Sequence, residues 1–382
     1  MNVPELLAGK RVCVCAGSGG VGKTTTSAVI ALGMAAQGLK VAVITIDPAK
    51  RLAAALGLEQ LSNDLAQVPA ERFAAAGLEV KGELWASMLD PKRTFDELID
   101  AAAPTPERAG AIKENLVYQQ ISGAVAGSQE FTAVSKLYEL FGDDRFDLIV
   151  LDTPPSRHAL DFLEAPRRLN AFLEGRALQA FLKPTGVGLR MVGLGVAPLV
   201  GALKRITGVD LISDLTHFFG LLGPMTDTFS ARARAVEVLL RSEATAFLLV
   251  TSAQDGPIAE ASWFRDALER EGMAFCGAVV NRFHHDLSGG ADRASVEAAL
   301  AAALADPELA ARVAENFADY GVLAARDEAN LARLEADLRS QPVLPVPQFD
   351  SDIHDVVGLL RVHRFLFGSD SEREALIAGL LS

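Results

Sequence analysis

The sequence predicts an α/β protein with a doubly wound, mostly parallel sheet and helical insertions. Seven short apolar runs, residues 12–16, 41–46, 84–89, 146–151, 246–251, 275–280 and 343–346, are bounded by turn residues, and most precede helical patterns. Their near-continuous hydrophobicity suits strands covered on both faces, the condition of a parallel sheet between helical layers. A glycine-rich segment follows the first run and opens a helical pattern, so that strand, loop and helix succeed one another.

The 382 residues suffice for a large core, and a composition of 50% hydrophobic and 22% charged residues is ordinary for a globular chain. A formal net charge of -13 opposes loose attraction to nucleic acid or an anionic bilayer, so no nucleic-acid partner is expected. The segment Met1-Asn-Val-Pro-Glu5 lacks the basic and apolar regions of a secretory signal, and a cytoplasmic location is expected. The three cysteines are odd in number. Cys13 and Cys15 share the first strand and Cys276 lies in a later one, which fits buried small hydrophobes rather than a disulfide or zinc site.

The first strand runs into Gly17-x-x-x-x-Gly22-Lys23-Thr24, a phosphate-binding loop. Backbone N–H groups of Gly19, Gly20, Val21, Gly22 and Thr25 are placed to curl around phosphate oxygens. Lys23 supplies positive charge to the β- and γ-phosphates, and the Thr24 hydroxyl can ligate Mg²⁺. The second strand ends at Thr45-Ile46-Asp47. A carboxylate at a strand end beside such a loop can orient an attacking water or hold Mg²⁺ through water; Asp47 is the candidate, with capping of the next helix as its structural alternative.

After the third run the chain reads helical over 92–145, a first insertion. The fourth run, Phe146 to Leu151, ends in Asp152; four apolar residues before an acid form a Walker B segment in which Asp152 binds Mg²⁺ or its water shell. The loop from Thr153 to His158 follows, placed to sense a γ-phosphate. A second, apolar helical insertion is expected over 160–244. Its piece 178–222 either packs internally or receives an apolar ligand, client helix or membrane partner. A helical segment is expected over 292–340, laced with charges of both signs, then a helix near 352–367 and a C-terminal tail over 368–382. The adjacent pair His284-His285 reads as a polar loop without nearby acids.

Together, Gly17 to Thr25, Asp47-Pro-Ala49, Leu89-Asp-Pro91 and Asp152-Thr-Pro-Pro-Ser-Arg-His158 resemble the arsenite-pump and tail-anchored-protein-targeting ATPases, the ArsA-type branch of the deviant Walker P-loop proteins. The order extends to Val280-Asn281-Arg282 and to residues 345–349, so the resemblance spans nearly the whole chain as one P-loop ATPase domain, 1–382. It implies ATP and Mg²⁺ as cofactors, Asp47 as the water-positioning carboxylate of switch I, and residues 152–158 as switch II. It also implies that Asn281 and the loop containing Pro345 and Pro347 frame adenine.

Two departures stand out. Members of the family carry a second lysine after the first glycine of the loop, and this chain has Ser18 there. Loss of a cation that neutralises transition-state charge slows hydrolysis unless Lys50, Arg51 or Arg157 replaces it, or unless a related chain that keeps the lysine completes a heterodimer. The family's metalloid or zinc cysteines are also missing, so the dimer needs other contacts. The resemblance therefore implies an ATP-hydrolysing dimeric switch coupled to a membrane transporter or membrane-linked partner. The alternatives are a carrier of hydrophobic tail-anchored segments, or a partitioning-type switch on DNA or membrane.

Overall fold

In the computed structural model of the chain, the apolar runs become the strands of one sheet. These are β1 (Val12–Ala16), β2 (Lys40–Thr45), β3 (Ala66–Gln67), β4 (Glu83–Met88), β5 (Leu148–Asp152), β6 (Thr245–Ser252), β7 (Phe275–Phe283) and β8 (Val343–Pro347). The structure describes residues 1–47, 51–119, 128–153, 164, 165, 167, 168, 171, 211–304, 306–339 and 341–379. Strand order is β3-β4-β2-β5-β1-β6-β7-β8, with parallel pairing except for the antiparallel edge pair β3–β4. The sheet is thus the expected α/β, mostly parallel one. β3 escaped the sequence reading because its two residues are both exposed and carry no apolar period.

β1 shows why the runs are continuous rather than alternating. Val12, Val14 and Ala16 enter the core on one face, while Cys13 and Cys15 enter the core on the other. The two cysteines are fully buried with sulfurs 4.0 Å apart, as small hydrophobes. Helices Lys23–Ala36 and Val356–Phe367 cover one face; Ser128–Gly142, Thr226–Arg241 and Asp255–Arg270 cover the other.

Register brings the strand ends level. Cys15 and Thr45 both pair with Asp152, and Ser252 pairs with Asn281, so the C-terminal ends of β1, β2, β5, β6 and β7 open on one edge. β1 lies where the chain switches from building one side of the sheet to the other, the usual place for a ligand crevice.

The 92–145 region holds helices Pro91–Ala102, Pro106–Glu114 and Ser128–Gly142, the first two started by capping side chains, Asp90 and Thr105, each followed by proline. Of the apolar piece 178–222, residues 178–210 lie outside the described residues. Its far end, Leu211–Leu222, packs inward: Phe218 and Phe219 are buried, Phe218 sits 6.4 Å from the Tyr118 ring, and the Arg108 guanidinium donates to the carbonyls of Gly220 and Leu221. The helical stretch over 292–340 divides into Arg293–Ala303 and Pro307–Asp337, because Asp306 caps a fresh helix whose first residue is proline. Gly33 is required where Phe367 crosses helix Lys23–Ala36, since a Cβ there would lie 2.2 Å from the ring. Among the described residues, no helix is long and apolar enough to cross a membrane, and no group of three or more His, Cys, Asp or Glu is arranged to hold a metal.

Candidate nucleotide site

The loop after β1 is shaped by two glycines that admit nothing larger. Gly17 has φ +150°, and a Cβ on it would fall 1.9 Å from the Val250 carbonyl oxygen on β6. Gly22 has φ +94° and leads helix Lys23–Ala36; a Cβ would lie 2.2 Å from the Asn281 amide nitrogen, which donates to the Val21 carbonyl at 2.9 Å. No side chain caps this helix, so its first-turn N–H groups and dipole face the loop and suit an anion.

Beneath the loop, a buried carboxylate joins two strands to the helix. Asp152 Oδ2 accepts from the Thr24 hydroxyl and from the Thr45 hydroxyl, each at 2.7 Å. Thr45 Oγ1 in turn accepts the Asp47 backbone N–H at 3.1 Å. Burial pushes the Asp152 carboxyl up to about 6, against the pull of the two hydroxyls and Lys23. Lys23 Nζ donates to the Ser18 carbonyl at 2.8 Å; burial lowers this amine below its usual value, with Asp152 and Asp47 holding it up and Arg51 pressing it down. Asp47, at the end of β2, has Arg51 Nη1 at 3.4 Å from its Oδ2.

The residues present fit Mg²⁺. Asp152 Oδ1 is buried and has no hydrogen-bond partner, and the adjacent Thr24 hydroxyl adds a second hard oxygen donor of the kind that ion takes.

A cavity of about 540 Å³ opens above this arrangement, within the range of small-ligand sites. Gly20, Gly22, Lys23, Thr24, Thr25, Asp47, Asn281 and Pro347 line it. The other expected residues do not. Gly19 is exposed, Val21 is buried beneath the loop, Asp152 stands behind Thr24, and Pro345 pairs with Val280 inside β8, short of the cavity. Pro48, Ala49 and Lys50, like Arg157 and His158, lie outside the described residues.

Thr153, from the loop expected to sense the γ-phosphate, and Gln348, from the 345–349 loop, also line the cavity, whereas a lining place for Arg282 and the turn Ser351 to His354 went unread in the sequence. Thr45 was legible in principle, since positions 45 and 47 share a strand face, whereas the turn at 351–354 carries no motif. The His284-His285 pair needs correction as well. His284 Nδ1 lies 2.7 Å from Asp327 Oδ2, and the same oxygen accepts the His284 backbone N–H, while Arg326 binds Oδ1. The nearby acid is 43 residues away in sequence, on helix Pro307–Asp337, and could not be read locally.

A phosphate-binding loop between the first strand and its helix, a Walker B carboxylate at the end of the neighbouring strand and a cavity on the carboxyl edge of the sheet define a P-loop nucleotide-binding protein. Within that class, residues 10–322 match the family described as anion-transporting ATPase, ArsA_ATPase, and the chain belongs to it. Similar proteins include an ATPase GET3 of Malassezia globosa, 30% identical over 207 residues, covering 51% of this chain and 57% of that one. An ATPase GET3 of Mycosarcoma maydis is 26% identical over 194 residues, covering 50% and 49%. A putative arsenical pump-driving ATPase of Halobacterium salinarum is 30% identical over 178 residues, covering 45% and 26%. The chain spans about half the length, or less, of these curated relatives.

Proposed function

We propose that this chain binds and hydrolyses ATP with Mg²⁺ and uses the nucleotide state as a switch. The observation that carries the proposal is the Asp152 carboxylate, which ties the helix behind the phosphate loop, through Thr24, to the strand that presents Asp47, through Thr45. Loss or gain of a terminal phosphate above Lys23 is thereby linked to the position of the Asp47 strand end.

In this reading the loop N–H groups and the helix N-terminus take the β-phosphate, and Lys23 turns from the Ser18 carbonyl to the β- and γ-phosphates. Asn281 and Pro347 border the base. Asp47 accepts a hydrogen bond from a water and aims it at the γ-phosphorus, positioning being the protein's main task in phosphoryl transfer. Thr24 and Asp152 would hold Mg²⁺, which when bound neutralises charge between the β- and γ-phosphates. Phosphate release from ATP by the purified chain, with Lys23→Ala and Asp47→Asn as controls, tests the assignment. Turnover that is unchanged in both variants would remove it.

We further propose that the helical insertions over 92–145 and 160–244 are the output of the switch, acting as a dimer in the cytoplasm on a transporter or membrane-linked partner. Ser18, where the resembling family carries a lysine, supports a heterodimer with a related chain over a homodimer. Native mass of the complex from its own cells, with every component identified, separates these, and a fully active homodimer sinks the heterodimer. The alternative of a carrier for hydrophobic tail-anchored segments is favoured by the apolar stretch at 178–222; recovery of a hydrophobic-tailed client with the complex would establish it. Retention of DNA at moderate salt would instead support a partitioning-type switch.

A further inference from the structure

Among the described residues lining the cavity, the permanent cations are Lys23, Arg51 and Arg282, and they divide between its two ends. Arg282 follows Asn281 on β7, next to Pro347 at the base end. Arg51 opens helix Arg51–Ala55 directly after the Asp47 loop and reaches back to that carboxylate, at the phosphate end.

Arg51 holds its present place weakly. Its side chain is 64% exposed, and an i,i+4 ion pair at 3.4 Å with so much solvent contributes little to folding. It stands near enough to Lys23 for its charge to press that amine's pKa down. Two cations and an uncapped helix N-terminus therefore converge on one volume. That repulsion is relieved when an anion with several oxygens enters, and a guanidinium matches a phosphoryl group with two parallel N–H donors.

We propose that Arg51 is a catalytic residue of this site: when a nucleoside triphosphate binds, its guanidinium leaves Asp47 for the terminal phosphate. This rests on the ATPase function proposed above. Water oxygen forms a bond to the γ-phosphorus, the bond from that phosphorus to the bridging oxygen breaks, and ADP departs with the electron pair. The water proton passes to the phosphate product, and Arg51 transfers no proton; it neutralises charge on the equatorial oxygens. The same movement frees the Asp47 carboxylate from its arginine at the moment the attacking water needs it. With ADP bound, the Arg51–Asp47 pair holds the site idle.

The test uses the native complex and reads both turnover and affinity for ADP with aluminium fluoride, a mimic of the transferring phosphoryl group. Arg51→Ala is expected to lower kcat on the order of 100-fold and to weaken the aluminium fluoride complex comparably, with ADP affinity unchanged and Arg51→Lys recovering part of the loss. Repeating Arg51→Ala in an Asp47→Asn background separates contact with phosphate from mere placement of Asp47. A further loss of about 10-fold or more in aluminium fluoride affinity is expected there, and no further loss overturns the proposal. A wild-type complex that releases no phosphate overturns the ATPase assignment and Arg51's role with it. An active wild type with Arg51→Ala within about 3-fold of it overturns the Arg51 role alone.

Discussion

Replacing Thr45 by valine keeps the shape of a fully buried side chain and deletes one hydroxyl. That hydroxyl donates to Asp152 Oδ2 at 2.7 Å and accepts the Asp47 N–H at 3.1 Å. A hydrogen bond to a charged group is worth about 1.5–3 kcal/mol, and one pKa unit corresponds to about 1.4 kcal/mol. Asp152 already stands at about 6, so the valine variant should carry it to roughly 7–8. The sign follows: only the ionised carboxylate binds a metal, so the pH at which Mg²⁺ strengthens nucleotide binding moves upward. Near pH 7 the Mg²⁺-dependent part of the affinity should fall about 2- to 10-fold from protonation alone, and recover near pH 9. Calorimetric titration of ADP with and without Mg²⁺ across this pH range measures it, with Thr45→Ser as the variant that keeps the hydroxyl. An unchanged pH midpoint in the valine variant would refute the coupling of Thr45 to Asp152.

Gly17→Ala forces a Cβ to within 1.9 Å of a backbone oxygen on β6; nucleotide binding should vanish and stability fall by more than about 3 kcal/mol in denaturant melts. His363 stacks on Phe367 at 4.5 Å, and burial, with Arg364 beside it, lowers its pKa to about 4. The unfolded chain takes a proton below about 6.5 while the folded one refuses it, so unfolding free energy should fall by about 3 kcal/mol between pH 6.5 and 4. His363→Phe should flatten that slope. Asp327→Ala strands His284 and Arg326 around a buried site, and urea unfolding should show a loss of about 3–5 kcal/mol.

The α/β class, the phosphate loop, and the strand-end acids Asp47 and Asp152 were legible in the sequence because each is announced within a few residues. An apolar run says strand, a glycine spacing says loop, and an acid after four apolar residues says strand end. Asp152 shows where that legibility stops. Its two hydroxyl partners, Thr24 and Thr45, lie 128 and 107 residues before it, and the register that lays β1, β2 and β5 side by side is a property of the assembled sheet. The same holds for Asp327 under His284 and for the turn at 351–354 that closes the cavity, which no local period announces. Pro345 marks the converse case. The motif pointed to it, but the pairing of β8 with β7 keeps it inside the sheet, and the chain reaches the cavity two residues later at Pro347. Local sequence determined which residues have the chemistry; only the long-range pairing of parallel strands, whose partners are set by packing on both faces, decided which of them meet.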